Sequence, residues 1–255
     1  MYQILITLNK KITIITALML VIFFSSAPLM AQDVEEDDKF SMTVTLNSDV
    51  FFGFYPFFAG SYAVSDNVDF TFYGILWSGG TGGGWGNWTE FGGGVGISAG
   101  NLYINPQIGL LSGSLTSGLG TPVLGEGIVP NLTVILDNGP AEGELYAGYY
   151  LGLDHGNPVT NNYLHWWLSG GYKLGKIVSV GLHYEHLRFA GGQNQETDSS
   201  SDLYMAVGPY IKFADPNGGA FAKFITGGDL RSDEEVAKSG VEQPSFFKLT
   251  VGYGF

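Results

Sequence analysis

The chain has 255 residues, no cysteine and a formal net charge of −13; 15% of its residues are aromatic and only 14% charged. The acidic balance excludes nucleic acid as a partner, because phosphates are bound through Lys and Arg, and the missing cysteines exclude a disulfide framework and a thiol-linked lipid anchor. A hydrophobic fraction of 45% excludes a disordered low-complexity chain, which lacks apolar surface to bury.

In chain order, Lys10 and Lys11 precede an apolar run from Ile12 to Phe24, followed by small residues up to Ala31. A charged start, an apolar stretch and a small-residue cleavage point are the layout of a secretory signal peptide, expected over residues 1–31. The run is too short for a membrane-spanning helix, which needs about 20 apolar residues. An acidic tail is expected over 32–39, with Asp33 to Asp38 reading as solvated charge. No Lys or Arg occurs between Lys39 and Lys173.

From residue 40 to 255 the chain reads as strands. Met42, Val44, Leu46, Val50, Phe52 and Phe54 are assigned to one face, opposite Thr43, Thr45, Asn47 and Asp49. The same alternation recurs around Val68–Leu76, Leu102–Leu110, Leu145–Leu153, Leu164–Leu174, Val178–Tyr184 and Leu203–Phe213. Strands show successive side chains to opposite faces, so each has one face suited to oil and one that tolerates water. Three weaker strands are placed at Phe57–Val64, Phe91–Ser98 and Ile128–Leu136. Short Asn/Asp/Gly/Pro turns alternate with longer links at Ser78–Glu90, Ser112–Gly127, Asp154–Asn162, Arg188–Ser201 and Gly227–Pro244. The first outer link, near Tyr55 and Pro56, is the short exception.

The last strand carries the strongest signal. Phe247, Leu249, Val251, Tyr253 and Phe255 form one apolar row, with Phe246, Lys248, Thr250, Gly252 and Gly254 on the other face. The segment resembles the C-terminal assembly signal of bacterial outer-membrane barrels. Lys248, Tyr253 and Phe255 match its polar and aromatic positions, while Thr250 stands where the family usually has Gly. The resemblance implies an all-β transmembrane antiparallel up-and-down barrel of about twelve strands, with ten as the alternative. It implies a location in the cell outer membrane, with outer-membrane lipid, the barrel assembly machinery and a small solute as partners. A soluble lipocalin-like barrel would instead turn its apolar face inward.

Few motifs carry chemistry. Gly79 to Gly86 lacks the Gly-Lys-Ser/Thr ending of a phosphate loop and reads as an outer loop, with Trp77, Trp85 and Trp88 near the membrane interface. Asp229, Asp233, Glu234, Glu235 and Glu242 match no defined Ca²⁺ loop and read as solvated acid. No metal, cofactor or catalytic residue is assigned. On a strand His183 and His186 point to opposite faces and cannot share one ion. His183 and Glu185 share the lumen face with His165 on the neighbouring strand, and Tyr150, Tyr163, Trp167 and Tyr204 lie nearby. This wall either orients a small ligand or plugs the lumen. Glu144, Lys173, Lys212 and Lys223 are the lumen charge candidates, as mutual neutralisation or as a constriction selecting by sign. Inward glycines leave room for either a channel or opposing rings. Three functions remain: a small-solute channel, a structural or surface-interaction barrel with closed lumen, and an outer-membrane lipid hydrolase. The hydrolase would use outward His186, beside which the sequence places no convincing Ser or Asn.

Overall fold

The structure, a computed structural model, describes residues 39–77, 88–117, 119, 121–153, 155–156, 159–195 and 199–255. The expected signal peptide, the acidic tail up to Asp38 and the Gly79–Gly86 loop lie outside the described residues.

Twelve antiparallel strands close into one barrel. They are β1 (Phe40–Asp49), β2 (Gly53–Ser65), β3 (Val68–Trp77), β4 (Trp88–Ala99), β5 (Leu102–Gly113) and β6 (Val123–Asn138), then β7 (Ala141–Gly152), β8 (Tyr163–Lys173), β9 (Val178–Phe189), β10 (Ser201–Ala214), β11 (Ala220–Asp229) and β12 (Ser245–Gly254). One short helix, α1 (Asp233–Ser239), lies in the link between β11 and β12. Each strand pairs with its neighbours in sequence, and β1 closes on β12 from Thr43↔Gly254 to Asp49↔Lys248. Closure leaves no unpaired edge, which a lipid environment does not tolerate. Past the seam, Phe255 N–H donates to the Met42 carbonyl at 2.8 Å.

The twelve-strand expectation holds, and its three weaker strands are all present and longer than expected. The reason is lateral pairing: in a closed sheet each strand is hydrogen-bonded on both sides, so glycines and prolines that discourage an isolated strand are carried by their neighbours. At Pro130 the β6–β7 register skips from Ile128↔Leu151 to Asn131↔Gly148, where proline has no N–H to give. The extension brings Glu90 and Glu126 into β4 and β6, although the sequence reading left both in loops.

The faces sort as period two demands. Phe70, Ile108, Leu168, Leu182, Leu249 and Val251 are exposed on the outside, while Thr45, Thr71, His165, Ser179, Glu185 and Lys248 are buried inside. This is the inverse of a soluble barrel, whose water-facing outside is polar. Both ends of the barrel chain lie with the short turns, such as those at Gly100 and Gly139, where φ values of 63° and 59° need glycine. The long links lie at the opposite end.

Three face assignments are corrected. Phe52 does not continue the outward row of β1: the chain reverses at residues 50–52, Asp49 accepts the Phe51 and Phe52 N–H groups at 2.9 and 2.6 Å, and Phe52 turns into the barrel. Trp77 and Trp88 are not at the membrane interface. They are cross-strand partners that stack inside the lumen, ring centroids 5.5 Å apart. Leu203 is buried because a register shift between Asp202 and Tyr204 interrupts the alternation of β10.

Candidate functional site

The inward glycines do not leave an open bore. The Tyr210 ring lies against Gly171 and Gly181, and the Tyr73 ring against Gly92 and Gly109, each so close that a Cβ would collide. Glycine here lets a large ring fold flat against the wall and fill the lumen.

The outer half is filled most densely. The β1–β2 tip drops in from above: Phe51 packs on Tyr204 at 4.9 Å between centroids, and Phe52 on Trp77 at 4.6 Å and His165 at 5.6 Å. Tyr55, Leu111, Val129, Tyr150, Leu187 and Phe246 join the same buried cluster. A small gap remains between Phe52, Trp77, Trp88, Tyr150, His165 and Leu187. Above the cluster the links hydrogen-bond to one another. Asn161 N–H donates to the Thr116 carbonyl at 2.8 Å, and Asn162 N–H to the Gly191 carbonyl at 2.7 Å. Buried Glu126 anchors this lid by accepting the N–H groups of Leu115, Thr116 and Ser117 at 2.9, 2.9 and 3.0 Å.

Beneath the aromatic cluster, Glu185 is the centre of a charged knot. Its carboxylate, wholly buried, accepts from Tyr204 Oη at 2.7 Å, His165 Nε2 at 2.9 Å, His183 Nε2 at 3.0 Å and Lys248 Nζ at 3.0 Å. Lys248 comes from β12, three strands round the wall, so the pair ties across the interior rather than along one face. The partners fix the proton positions. An ionised Glu185 can only accept, so His183 Nε2 carries the proton given to it; His183 Nδ1 lies 2.7 Å from Ser169 Oγ, which accepts from Lys223 Nζ at 3.1 Å. Trp167 places its ring under Lys248 Nζ at 5.0 Å and donates its N–H to Glu144 at 2.9 Å.

The lower half is wetter. Lys212 pairs with Glu142 at 3.3 Å and Lys223 with Glu144 at 3.7 Å, each joining strands separated on the wall. Lys173 sits at the rim with the short turns and pairs with Asp137 at 2.6 Å. The structure thus brings His165, Trp167, His183, Glu185 and Tyr204 together, sets Tyr150 beside them in the aromatic cluster, and pairs the lumen lysines off with carboxylates one by one. Among the described residues they form no ring of one sign.

Lys248 faces inward as Glu185's cation, whereas Tyr253 and Phe255 face outward and touch edge to face at 5.0 Å. On the outer surface His186 has both ring nitrogens engaged: Nδ1 accepts from Trp166 Nε1 at 3.1 Å and Nε2 bonds Asp202 at 2.8 Å. Ser200 accepts from Arg188 instead. No ring nitrogen is left to activate a serine, so the cluster lacks the base a hydrolase needs.

Sequence reasoning missed Glu90, Asn131 and Arg231. Arg231 is buried and spends its donors on Asp229, the Asp202 and Val241 carbonyls and Ser239, clamping the β11–β12 link. The acidic residues of that link are used locally: Asp229 by Arg231, and Asp233, Glu234 and Glu235 in the first turn of α1. Among the described residues no three His, Asp or Glu side chains converge on a metal position.

The fold is similar to that of an outer-membrane channel from Pseudomonas putida F1, with a TM-score of 0.50 and 12% identity, covering 84% of this chain and 94% of that one. The NanC porin is similar at a TM-score of 0.49 and 10% identity over 84% and 98% of the two chains. The KdgM porin is similar at 0.45 and 13% over 84% and 99%. These likenesses concern the fold alone. No curated protein matches the sequence. A family model does match, over residues 8–255, and the chain therefore belongs to the family of unknown function DUF6733.

Proposed function

We propose that the protein is an outer-membrane channel for small solutes whose resting lumen is shut in its outer half. The outward apolar belt, the aromatic Tyr253–Phe255 end and the expected signal peptide support this location, with outer-membrane lipid and the barrel assembly machinery as partners. The size of the wall favours a channel over a purely structural barrel. Side chains fill eight-stranded barrels readily; this barrel has twelve strands and uses an inserted hairpin tip and a loop lid to close. The half-exposed Lys212–Glu142 and Lys223–Glu144 pairs wet the inner half.

The single observation that carries the reading is the placement of the plug. Phe51 and Phe52 come from a turn, not from the wall, and a turn moves without breaking the barrel ladder. The test is single-channel conductance of refolded protein in planar bilayers. Wild type is expected to show brief, rare openings, and Phe51→Ala/Phe52→Ala a higher open fraction. Continuous porin-like conductance in wild type overturns the resting plug. Silence in both proteins, with strand content intact by circular dichroism, replaces the channel with the closed structural barrel, the reading favoured by the density of the Glu185 knot.

A further inference from the structure

We propose that Glu90 and Asn131, inside a box of aromatic rings on the β3–β7 side of the lumen, bind a small ammonium cation. The site is distinct from the Glu185 knot and would bind whether or not the barrel conducts.

The first observation is an imbalance of charge. Strands β1 to β7 contain no Lys or Arg, since none occurs between Lys39 and Lys173. Of the other carboxylates described in the lumen, Asp69 meets the Tyr103 hydroxyl and the rest meet a cation or backbone N–H groups: Glu185 has Lys248, Glu142 has Lys212, Glu144 has Lys223, Glu126 has three N–H groups and Asp49 has two. Glu90 is fully buried and meets neutral groups alone: the Tyr73 hydroxyl donates to Oε1 at 2.6 Å, and Trp77 and Tyr150 also turn donors toward the carboxyl. A carboxylate removed from water without a counter-charge is strongly disfavoured.

The second observation is a pair of buried acceptor oxygens. Glu90 Oε2 and Asn131 Oδ1 are both buried and accept no hydrogen bond. They are joined through Tyr73: Asn131 Nδ2 donates to the Tyr73 hydroxyl at 2.8 Å, and that hydroxyl donates to Glu90. Two vacant acceptors flanking one phenol suit a group that brings N–H donors and positive charge together. Asn131 keeps its donors occupied on the protein side, which turns its oxygen toward the vacancy.

The surroundings fit the same class. Trp77, Tyr146 and Tyr150 lie beside the Glu90 carboxyl. Aromatic faces attract cations, and more strongly when both are desolvated. The neighbouring gap under Phe52, Trp77 and Trp88 gives room for a small substituent on the nitrogen. A neutral polar ladder approaches from the inner half: Gln107 Nε2 donates to Thr71 Oγ1 at 3.0 Å, and Thr71 Oγ1 to Asn105 Oδ1 at 2.9 Å. An anionic solute meets the Glu90 carboxylate, and a neutral apolar one leaves both oxygens unpaired.

The test is calorimetric titration of methylammonium chloride into refolded full-length protein in detergent micelles, with potassium chloride at matched ionic strength as the comparison. Wild type is expected to bind one methylammonium saturably and potassium more weakly. Glu90→Gln keeps the shape and removes the charge, and its affinity is expected to fall by about tenfold or more. Asn131→Asp adds a second carboxylate and is expected to tighten binding, a gain that misfolding cannot mimic. Heat-modifiable gel migration checks each barrel. Absence of saturable binding in wild type overturns the site and leaves the Trp77 indole N–H as the group that completes the shell of Glu90. Equal affinity for potassium overturns the ammonium class. Unchanged affinity in Glu90→Gln, or unchanged or weaker affinity in folded Asn131→Asp, overturns the assignment of these residues.

Discussion

Replacing Lys248 by Met removes the one ammonium group that meets the Glu185 carboxylate, while keeping an apolar stem of similar length in the wall. The carboxylate is completely buried and the Lys248 side chain is 11% exposed, so water cannot substitute for the lost charge without opening the barrel. Breaking a buried pair on one side costs about 3–5 kcal/mol. Tyr204, His165 and His183 still donate at 2.7, 2.9 and 3.0 Å, which places the expected loss at the lower end of that range, about 3 kcal/mol. Loss of the ammonium above the Trp167 ring at 5.0 Å acts in the same direction. Glu185→Gln together with Lys248→Met leaves neither member of the pair charged, and that double variant is expected to recover about 2 kcal/mol relative to the sum of the singles. Urea unfolding of refolded barrels in lipid vesicles, followed by tryptophan fluorescence, measures all four proteins. A Lys248→Met loss below about 0.5 kcal/mol, or singles that simply add, would refute the transluminal knot as an electrostatic unit.

Two further outcomes follow from the outer surface and the β11–β12 link. Leu182 is 65% exposed on the outside of β9 near its middle, so Leu182→Arg is expected to cost about 2–4 kcal/mol in the same vesicle assay, and a loss under about 1 kcal/mol means that this face does not meet lipid. At α1, the Ser232 backbone N–H and then its hydroxyl hold the Glu235 carboxyl below the usual carboxylate range. A depressed folded value means that the cap stabilises the helix above the ordinary carboxylate pKa and loses that contribution as pH falls through the folded value. Amide protection over residues 233–239, taken relative to intrinsic exchange at each pH, should fall under acid in wild type but not in Glu235→Gln; an equal fall in both would show that the capping box does not govern the helix.

The sequence alone determined the wall. Strand number, the alternation of links and the outward face of each strand were legible because an apolar outside and a polar lumen impose a period of two that a single-residue slip would invert. The grouping of His165, His183 and Glu185 was legible too, because they share parity on adjacent strands. Tertiary structure alone decided what fills the lumen. Parity says whether a side chain points in, not what it meets there; Lys248 reaches Glu185 across 63 positions because the curvature of the wall turns the inward faces of β12 and β9, three strands apart, toward each other. Phe52 escaped because a chain reversal ends the period that assigned it outward, and Trp77 and Trp88 because interfacial and lumenal tryptophans look alike in sequence. Glu90 was lost with the strand boundary. The alternation of Trp88 with Glu90 was the available signal, but the preceding glycines concealed it, and only hydrogen bonding to β3 and β5 on both sides carried the strand out to Trp88.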